Sequence, residues 1–219
     1  MMNSFDKQEP LLTTFYRTYR QKHDARTFIN QAKQYYNESA LIRLTGAVCV
    51  ETRRAAALML GFIGTYQAND ALGPLLRDSD RSVRLLAESS LKSVWSRDGS
   101  EEQRQALYHV MRLIASEEYG EAVRHANVLL TEYPFYAEAV NQRAIALFAL
   151  KKFEASIADS RFVLDLNSYH FGAAIGMGHA YLQIQDKSHA IECFRRALSI
   201  NPNLVDIRRR LEQLMLNPF

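Results

Sequence analysis

The chain has few of the residues that hold small folds together by other means. Its 219 residues include only 2 cysteines, Cys49 and Cys193, with no Cys-x-x-Cys pair. That excludes a disulfide framework and a thiolate zinc cage, and fits a reducing compartment. Glycine (9) and proline (5) are scarce, so the chain is neither collagen-like nor of low complexity. No apolar run approaches the roughly 18 residues of a membrane span, and the opening MMNSFDKQEP has no apolar core of a signal peptide. The expected address is the cytoplasm. Charge of one sign is missing too. The 27 basic and 24 acidic residues leave a net +3, spread evenly over both halves, so nucleic-acid binding would need a local basic face. No strand alternation is present.

What remains is 47% apolar and 23% charged, enough to bury a substantial core. From Gln103 the sequence repeats every 34 residues without a gap, over 103–136, 137–170 and 171–204. Position 8 of the blocks holds Val110, Ala144 and Gly178, and position 20 holds Ala122, Ser156 and Ala190. Such side chains let two antiparallel helices cross closely. Bulky residues stand beside them at Leu113, Leu147 and Tyr181, at Val123, Ile157 and Ile191, and at Leu130, Leu164 and Leu198. Pro134 and Pro202 cannot continue the preceding helix, and Ser168 takes their place in the second block. Each block therefore reads as a helical hairpin. Val205 to Leu216 reads as a polar-faced helix that closes the stack, within a terminal segment 205–219.

This pattern resembles the tetratricopeptide repeat (TPR), with FGAAIGMGHAYLQIQDKSHAIECFRRALSINPNL as its best block. Departures are the large Val110 and Lys187, which stands where Tyr119 and Phe153 supply an aromatic.

A second period, of 31 residues, precedes it. Ala40-Leu41 aligns with Ala71-Leu72, Leu44 with Leu75, Arg53 with Arg84, Ala56 with Ala87 and Leu60 with Leu91. The segments TRRAAALMLGFIG and ALGPLLRDSDRSVRLLAESSL are similar to HEAT-like repeats of the phycobilisome-lyase type, in which Asp78, Ser79 and Asp80 would form a loop and one of them an N-cap. The expected fold is an all-α superhelix, or solenoid. HEAT-like hairpins (39–98) follow a tail and capping helices (1–38) and precede three TPR hairpins (103–204) stacked on them. Leu11, Leu12, Phe15, Tyr16 and Tyr19 form one helical stripe, and a second helix is expected from an Asp24 N-cap to Tyr36. Residues 1–10 read as a loose tail, and SRDGSEE (96–102) as a short linker.

Chemistry is hard to find. G-x-S-x-G, Walker, G-x-G-x-x-G and H-E-x-x-H patterns are all missing. His189 and Cys193 share a helix face but supply only two ligands where zinc takes four. His109, His125, His170 and His179 are scattered. No metal, no cofactor and no catalytic residue is expected, and the chain is not expected to be an enzyme. A bilin-attaching or accessory lyase-like role is the reading that the second resemblance leaves open, although a scaffold does not carry activity with it. Arg53, Arg54, Arg81 and Arg84 raise a nucleic-acid alternative, with Asp78, Asp80, Glu51 and Glu88 interleaved to pair them. In FYRTYRQKH the aromatic and basic residues fall on opposite helix sides, which favours a packed cap over RNA stacking.

The TPR resemblance implies an adaptor that grips a peptide or helix of a partner protein along the first helices of the hairpins. The implied groove comprises Leu107, Tyr108, Met111 and Ile114 from the first block and Asn141, Gln142, Ile145 and Phe148 from the second. Gly172, Ile175, Gly176, His179 and Leu182 come from the third, and Arg209 closes one end. Apolar contacts would supply affinity, Asn141 and Gln142 would set register, and Gly172 and Gly176 would leave room for a bulky group. Carboxylate-clamp TPR domains carry Lys, Asn, Asn, Lys and Arg where this chain has Leu107, Met111, Gln142, Gly172 and Gly176. An acidic chaperone tail is therefore not the expected ligand.

Overall fold

A computed structural model describes residues 9–216. Most of the expected N-terminal tail, and the last three residues after the closing helix, lie outside that range. Among the described residues there are helices and turns but no strand. The helices are α1 (Leu11–Lys22), α2 (Ala25–Tyr35), α3 (Glu38–Leu44), α4 (Val50–Ile63), α5 (Asn69–Leu72) and α6 (Arg81–Ser96). Then follow α7 (Glu101–Ala115), α8 (Tyr119–Glu132), α9 (Ala137–Ala149), α10 (Phe153–Leu166), α11 (Phe171–Gln183), α12 (Lys187–Ile200) and α13 (Val205–Leu216). None is long and apolar enough to cross a membrane. The chain divides into two compact units, Met1–Val94 and Trp95–Phe219.

In the first unit, Asp24 caps α2 by accepting from the Thr27 amide at 3.0 Å. Leu12, Tyr16 and Phe28 are buried. Tyr19 packs against Phe28 and Phe15 against Tyr35, with centroids 5.4 and 5.7 Å apart, so the aromatics of the first helix pack within the protein. The 31-residue period reappears as repeated burial and repeated bonding. Leu41 and Leu72, Ala56 and Ala87, and Leu60 and Leu91 are all fully buried. Arg53 Nη1 donates to the carbonyls of Ala47 and Val48, both at 2.9 Å. Arg84 Nη1, one period later, donates to those of Asp78 and Ser79 at 2.9 and 3.2 Å. Each arginine ties down the loop that enters its own helix. The two halves of the period differ in one respect: α3 is a single short helix, whereas its counterpart is broken into turns at Tyr66–Ala68, α5 and Pro74–Arg77. Pro74 has no amide hydrogen and its ring crowds the preceding turn, so the expected first helix of that hairpin cannot run through.

Helix crossings in both units depend on missing side-chain volume. A Cβ on Gly61 would lie 2.3 Å from Ser90 Oγ, and Ser90 Oγ itself donates to the Ala57 carbonyl at 2.8 Å. In the second unit Ser156 Oγ donates to the Ala144 carbonyl at 2.8 Å, joining positions 20 and 8 of one block. A Cβ on Gly178 would come within 2.6 Å of the Phe194 ring.

The 34-residue period is also written into the backbone. Glu117, Lys151 and Gln185 all have φ near +60° (60, 59 and 62°). After each, the amides of Glu118, Lys152 and Asp186 donate to the carbonyls of Leu113, Leu147 and Tyr181 at 2.8, 2.9 and 2.9 Å. This is a Schellman closure repeated three times, made by residues for which the left-handed region costs roughly 1–2 kcal/mol each. At the far end of the second hairpin, where Ser168 replaces proline, Asn167 Oδ1 accepts from the Tyr169 amide at 3.1 Å. Asn201 does the same for Asn203 at 3.0 Å in the block that keeps Pro202, so the side-chain turn forms with or without the proline. Ser100 opens α7 with a reciprocal capping box to Gln103.

Two measurements check these packing and charge arguments. Gly178→Ala forces the Phe194 ring to move and should lower unfolding stability by about 1–3 kcal/mol in urea titration; an unchanged midpoint would mean that the crossing is not tight. Second, the side-chain bond from Arg54 holds the Asp80 carboxyl down to about 2, and that from Arg53 holds Asp78 below its ordinary value of 3.8. A carboxyl depressed by folding contributes its stability above the unfolded value and loses it as pH falls through the folded one. Stability should therefore drop between about pH 4 and pH 2, and Asp80→Asn should flatten that part of the profile.

Candidate functional site

Residues α9 to α11 build the site. Helices α9 and α11 each pack along α10, and their facing residues are small: Ala144 on α9, Ser156 and Ser160 on α10, Gly172 and Gly176 on α11. These leave a cleft of about 200 Å³. Its walls are Ile145 and Phe148 on one side and His179 on the other, with Asn141 at one end. Ile145 is 43% exposed and forms an apolar lip. Phe148 is half-buried, held edge-on against Phe153 with centroids 5.5 Å apart. His179 packs edge-on against Phe194 at 5.2 Å. Burial, and secondarily the charge of Arg210, lowers its pKa, so its imidazole is neutral at pH 7.

Beneath the cleft lies a buried polar network. His170 caps α11, its Nδ1 accepting from the Ala173 amide at 3.0 Å. The ring proton therefore sits on Nε2 and is donated to Glu138 Oε2 at 3.2 Å. Asn141 Nδ2 and Gln142 Nε2 both donate to Glu138 Oε1, at 3.2 and 2.6 Å. Trp95 covers the imidazole, stacked at 4.3 Å. Burial alone would raise the Glu138 pKa, but the bonds from His170, Gln142 and Asn141 outweigh it and hold the carboxyl below its ordinary value. Glu138 is thus a buried anion with three donors, which fixes the orientation of both amides.

The implied groove residues divide between this cleft and other surroundings. Asn141, Ile145, Phe148, Gly172, Gly176 and His179 meet there. Leu107 is fully buried in the core, out of reach of a ligand. Asn141 and Gln142 are each 9% exposed and turn their amide nitrogens to Glu138. Met111, Ile175 and Leu182 pack partly buried on the main core of the second unit, and Ile114 on a smaller cluster around Val110. Tyr108 is exposed, and Arg209 is exposed and 3.6 Å from Asp206. Ser156 and Ser160 were absent from the sequence-derived set because they lie on a second helix, which shows through the gap between two first helices.

The other candidate chemistries sit as follows. Arg53 makes a two-point ion pair with Asp78 at 2.7 and 2.9 Å, and Arg54 does so with Asp80 at 2.9 and 2.5 Å. With Arg84 on loop carbonyls, three of the four arginines of the nucleic-acid reading are engaged inside the protein. His189 Nδ1 lies 2.6 Å from Asp186 Oδ2, and burial pushes the Cys193 thiol up to about 11, which keeps it protonated at neutral pH. Among the described residues no group of three or more His, Cys, Asp or Glu is placed to hold a metal ion.

Comparisons with known proteins bear on the second unit. Residues 173–204, from α11 through the turn after α12, match the family model of the tetratricopeptide repeat. A TPR repeat-containing protein of Rhizobium etli is 25% identical over 126 residues, covering 58% of this chain and 61% of that protein. The chain thus spans less than two thirds of the length of this relative. Among solved structures, the first TPR of Spaghetti (RPAP3) bound to the HSP90 peptide SRMEEVD superposes with a TM-score of 0.51 at 22% identity, covering 54% of this chain and 94% of that one. The first TPR domain of human RPAP3 gives 0.50 at 22% identity, with 52% and 90% covered. At this identity the likeness is one of fold. The family match identifies one tetratricopeptide repeat, at 173–204; beyond it, the solved structures show a likeness of helical fold.

Proposed function

We propose that this chain is a non-catalytic adaptor whose TPR hairpins hold a segment of a partner protein against α9, α10 and α11. The observation that carries the reading is the cleft itself, which is open to solvent, mostly apolar, and placed where two first helices of the stack stand apart. A pocket of this kind binds by burying an apolar side chain rather than by reacting with it. Its one titratable lining residue is His179, and among the described residues no hydrogen bond joins it to the lining Ser156 or Ser160 as an activated nucleophile would need. A solved TPR of similar fold is described as bound to an HSP90 peptide, which supports the class of ligand. The clamp positions of this chain, Leu107, Met111, Gln142, Gly172 and Gly176, argue against the same acidic tail. We read the first unit's 31-residue hairpins as HEAT-like supports; the matched loop bonds of Arg53 and Arg84 favour this reading. With Arg53 and Arg54 paired to aspartates, a phosphate-binding face is disfavoured.

Selection of a random peptide library on the immobilised full chain tests the proposal. Enriched peptides should lose about tenfold or more in affinity on Ile145→Asp, which places a charge on the apolar lip, and on Gly176→Val, which fills the cleft. The Gly176 Cβ position is 3.9 Å from Ser160 Oγ, an ordinary contact, so far-UV circular dichroism should not change. Failure to enrich any peptide, or binding by both variants as tight as by the native chain, would overturn the assignment.

A further inference from the structure

The floor of the cleft carries a polar group that the protein itself does not use. Ser160 is 2% exposed and lines the cleft opposite Gly176, where a Cβ on the glycine would lie 3.9 Å from its Oγ. Among the described residues its hydroxyl has no hydrogen-bond partner. Its equivalent within the same helix, Ser156, is bonded to the Ala144 carbonyl. The cleft is open, so water can reach this hydroxyl; a ligand that covers it without offering a partner would strip that water away, and a matching polar group on the ligand is favoured over a purely apolar one. The second polar feature is Asn141. With Nδ2 committed to Glu138, its carbonyl oxygen is the end left for the cleft, an acceptor that calls for a donor.

Size and charge narrow the ligand. A cavity of about 150 Å³ holds a benzene ring, and this one measures about 200 Å³. Phe148 and Ile145 offer flat apolar walls. Outside, α13 presents Arg210, which has no ion-pair partner among the described residues and whose charge acts on His179. An anion beside the inserted ring would find a cation there.

Resting on the adaptor reading above, we infer that the partner segment inserts a tyrosine into this cleft, its ring between Phe148 and the glycine face of α11 and its hydroxyl on Ser160, with an adjacent acidic side chain toward Arg210. Tyrosine suits the place because it combines a large apolar ring with a polar tip. Phenylalanine would fill the volume and leave Ser160 unpaired.

The test uses the full chain and fluorescently labelled peptides with a central Asp-Tyr-Asp in a Gly-Ser background, together with versions carrying Phe or Ala for Tyr and Asn for both Asp residues. Tyr should bind about fivefold more tightly than Phe, the scale of one neutral hydrogen bond. Ala should bind at least tenfold more weakly than Phe. Ser160→Ala should erase the Tyr preference while leaving Phe binding unchanged. Arg210→Ala should weaken the Asp peptides and not the Asn ones, and raised salt should do the same. Equal binding of Tyr and Phe peptides by the native chain, or a Tyr preference that survives Ser160→Ala, would overturn the inference. If library peptides without tyrosine still lose affinity on Gly176→Val, this assignment fails while the adaptor reading stands. If no peptide of either kind binds, both fail.

Discussion

Every other feature of the second unit depends on how closely the two helices of a hairpin cross. Where Gly178 faces Phe194, and where Ser156 bonds to the Ala144 carbonyl, no larger side chain fits. Close crossing brings the bulky residues on either side into a continuous core of Leu107, Val140, Val163, Met177 and Phe194. It also fixes where each hairpin must turn. The left-handed residues at 117, 151 and 185 recur because the chain must reverse at the same distance from each crossing, and they do so without glycine. A turn that bears this cost three times is set by the packing on either side of it rather than by local preference.

The same rule applied beyond need produces the cleft. Hairpin crossing requires small residues at positions 8 and 20 of a block, yet the second and third blocks also have them at Ser160, Gly172 and Gly176. Those positions face between hairpins, where larger residues would close the gap, as partly buried Ile175 and Leu182 do elsewhere on α11. Nothing in the stacking of helices calls for the missing volume. The three hairpins thus include an under-filled junction bounded by aromatic and aliphatic walls, and the proposed binding role rests on that missing volume.

How much of this was legible depends on whether a feature is local. Both periods could be read directly, because the small residues, the bulky flanks and the prolines recur at fixed spacing. The Asp24 cap was equally visible, whereas the sequence left the cap of α6 open among Asp78, Ser79 and Asp80; it is Asp80 that accepts from the Val83 amide, at 2.9 Å. The left-handed turns were not, since Glu117, Lys151 and Gln185 share no residue type. Gly172 and Gly176 were readable as space, whereas Ser160 was hidden by the assumption that only first helices face a ligand. Asn141 and Gln142 show both cases. Their bond to Glu138 is an i, i+3 and i, i+4 relation that helical spacing alone suggests. The partner that makes Glu138 a buried anion, His170, is 32 residues away and depends on the hairpins being stacked in register.

That network explains why the cleft can keep a fixed shape although its lining is small and could collapse. Removing side chains from a helical junction ordinarily lets neighbours relax into the space. Here Asn141 is held by Glu138, Glu138 by His170, and His170 by both the Ala173 amide and the Trp95 ring. The start of α11 is thereby tied to the start of α9 through charge-assisted bonds that tolerate little displacement. Gly172 follows His170 by two residues, so the glycine face is carried on the most firmly fixed turn of its helix. A buried carboxylate gives little net stability against an apolar substitute. Its value in this position is geometric, in keeping two helices apart at a set distance so that the space between them persists when empty.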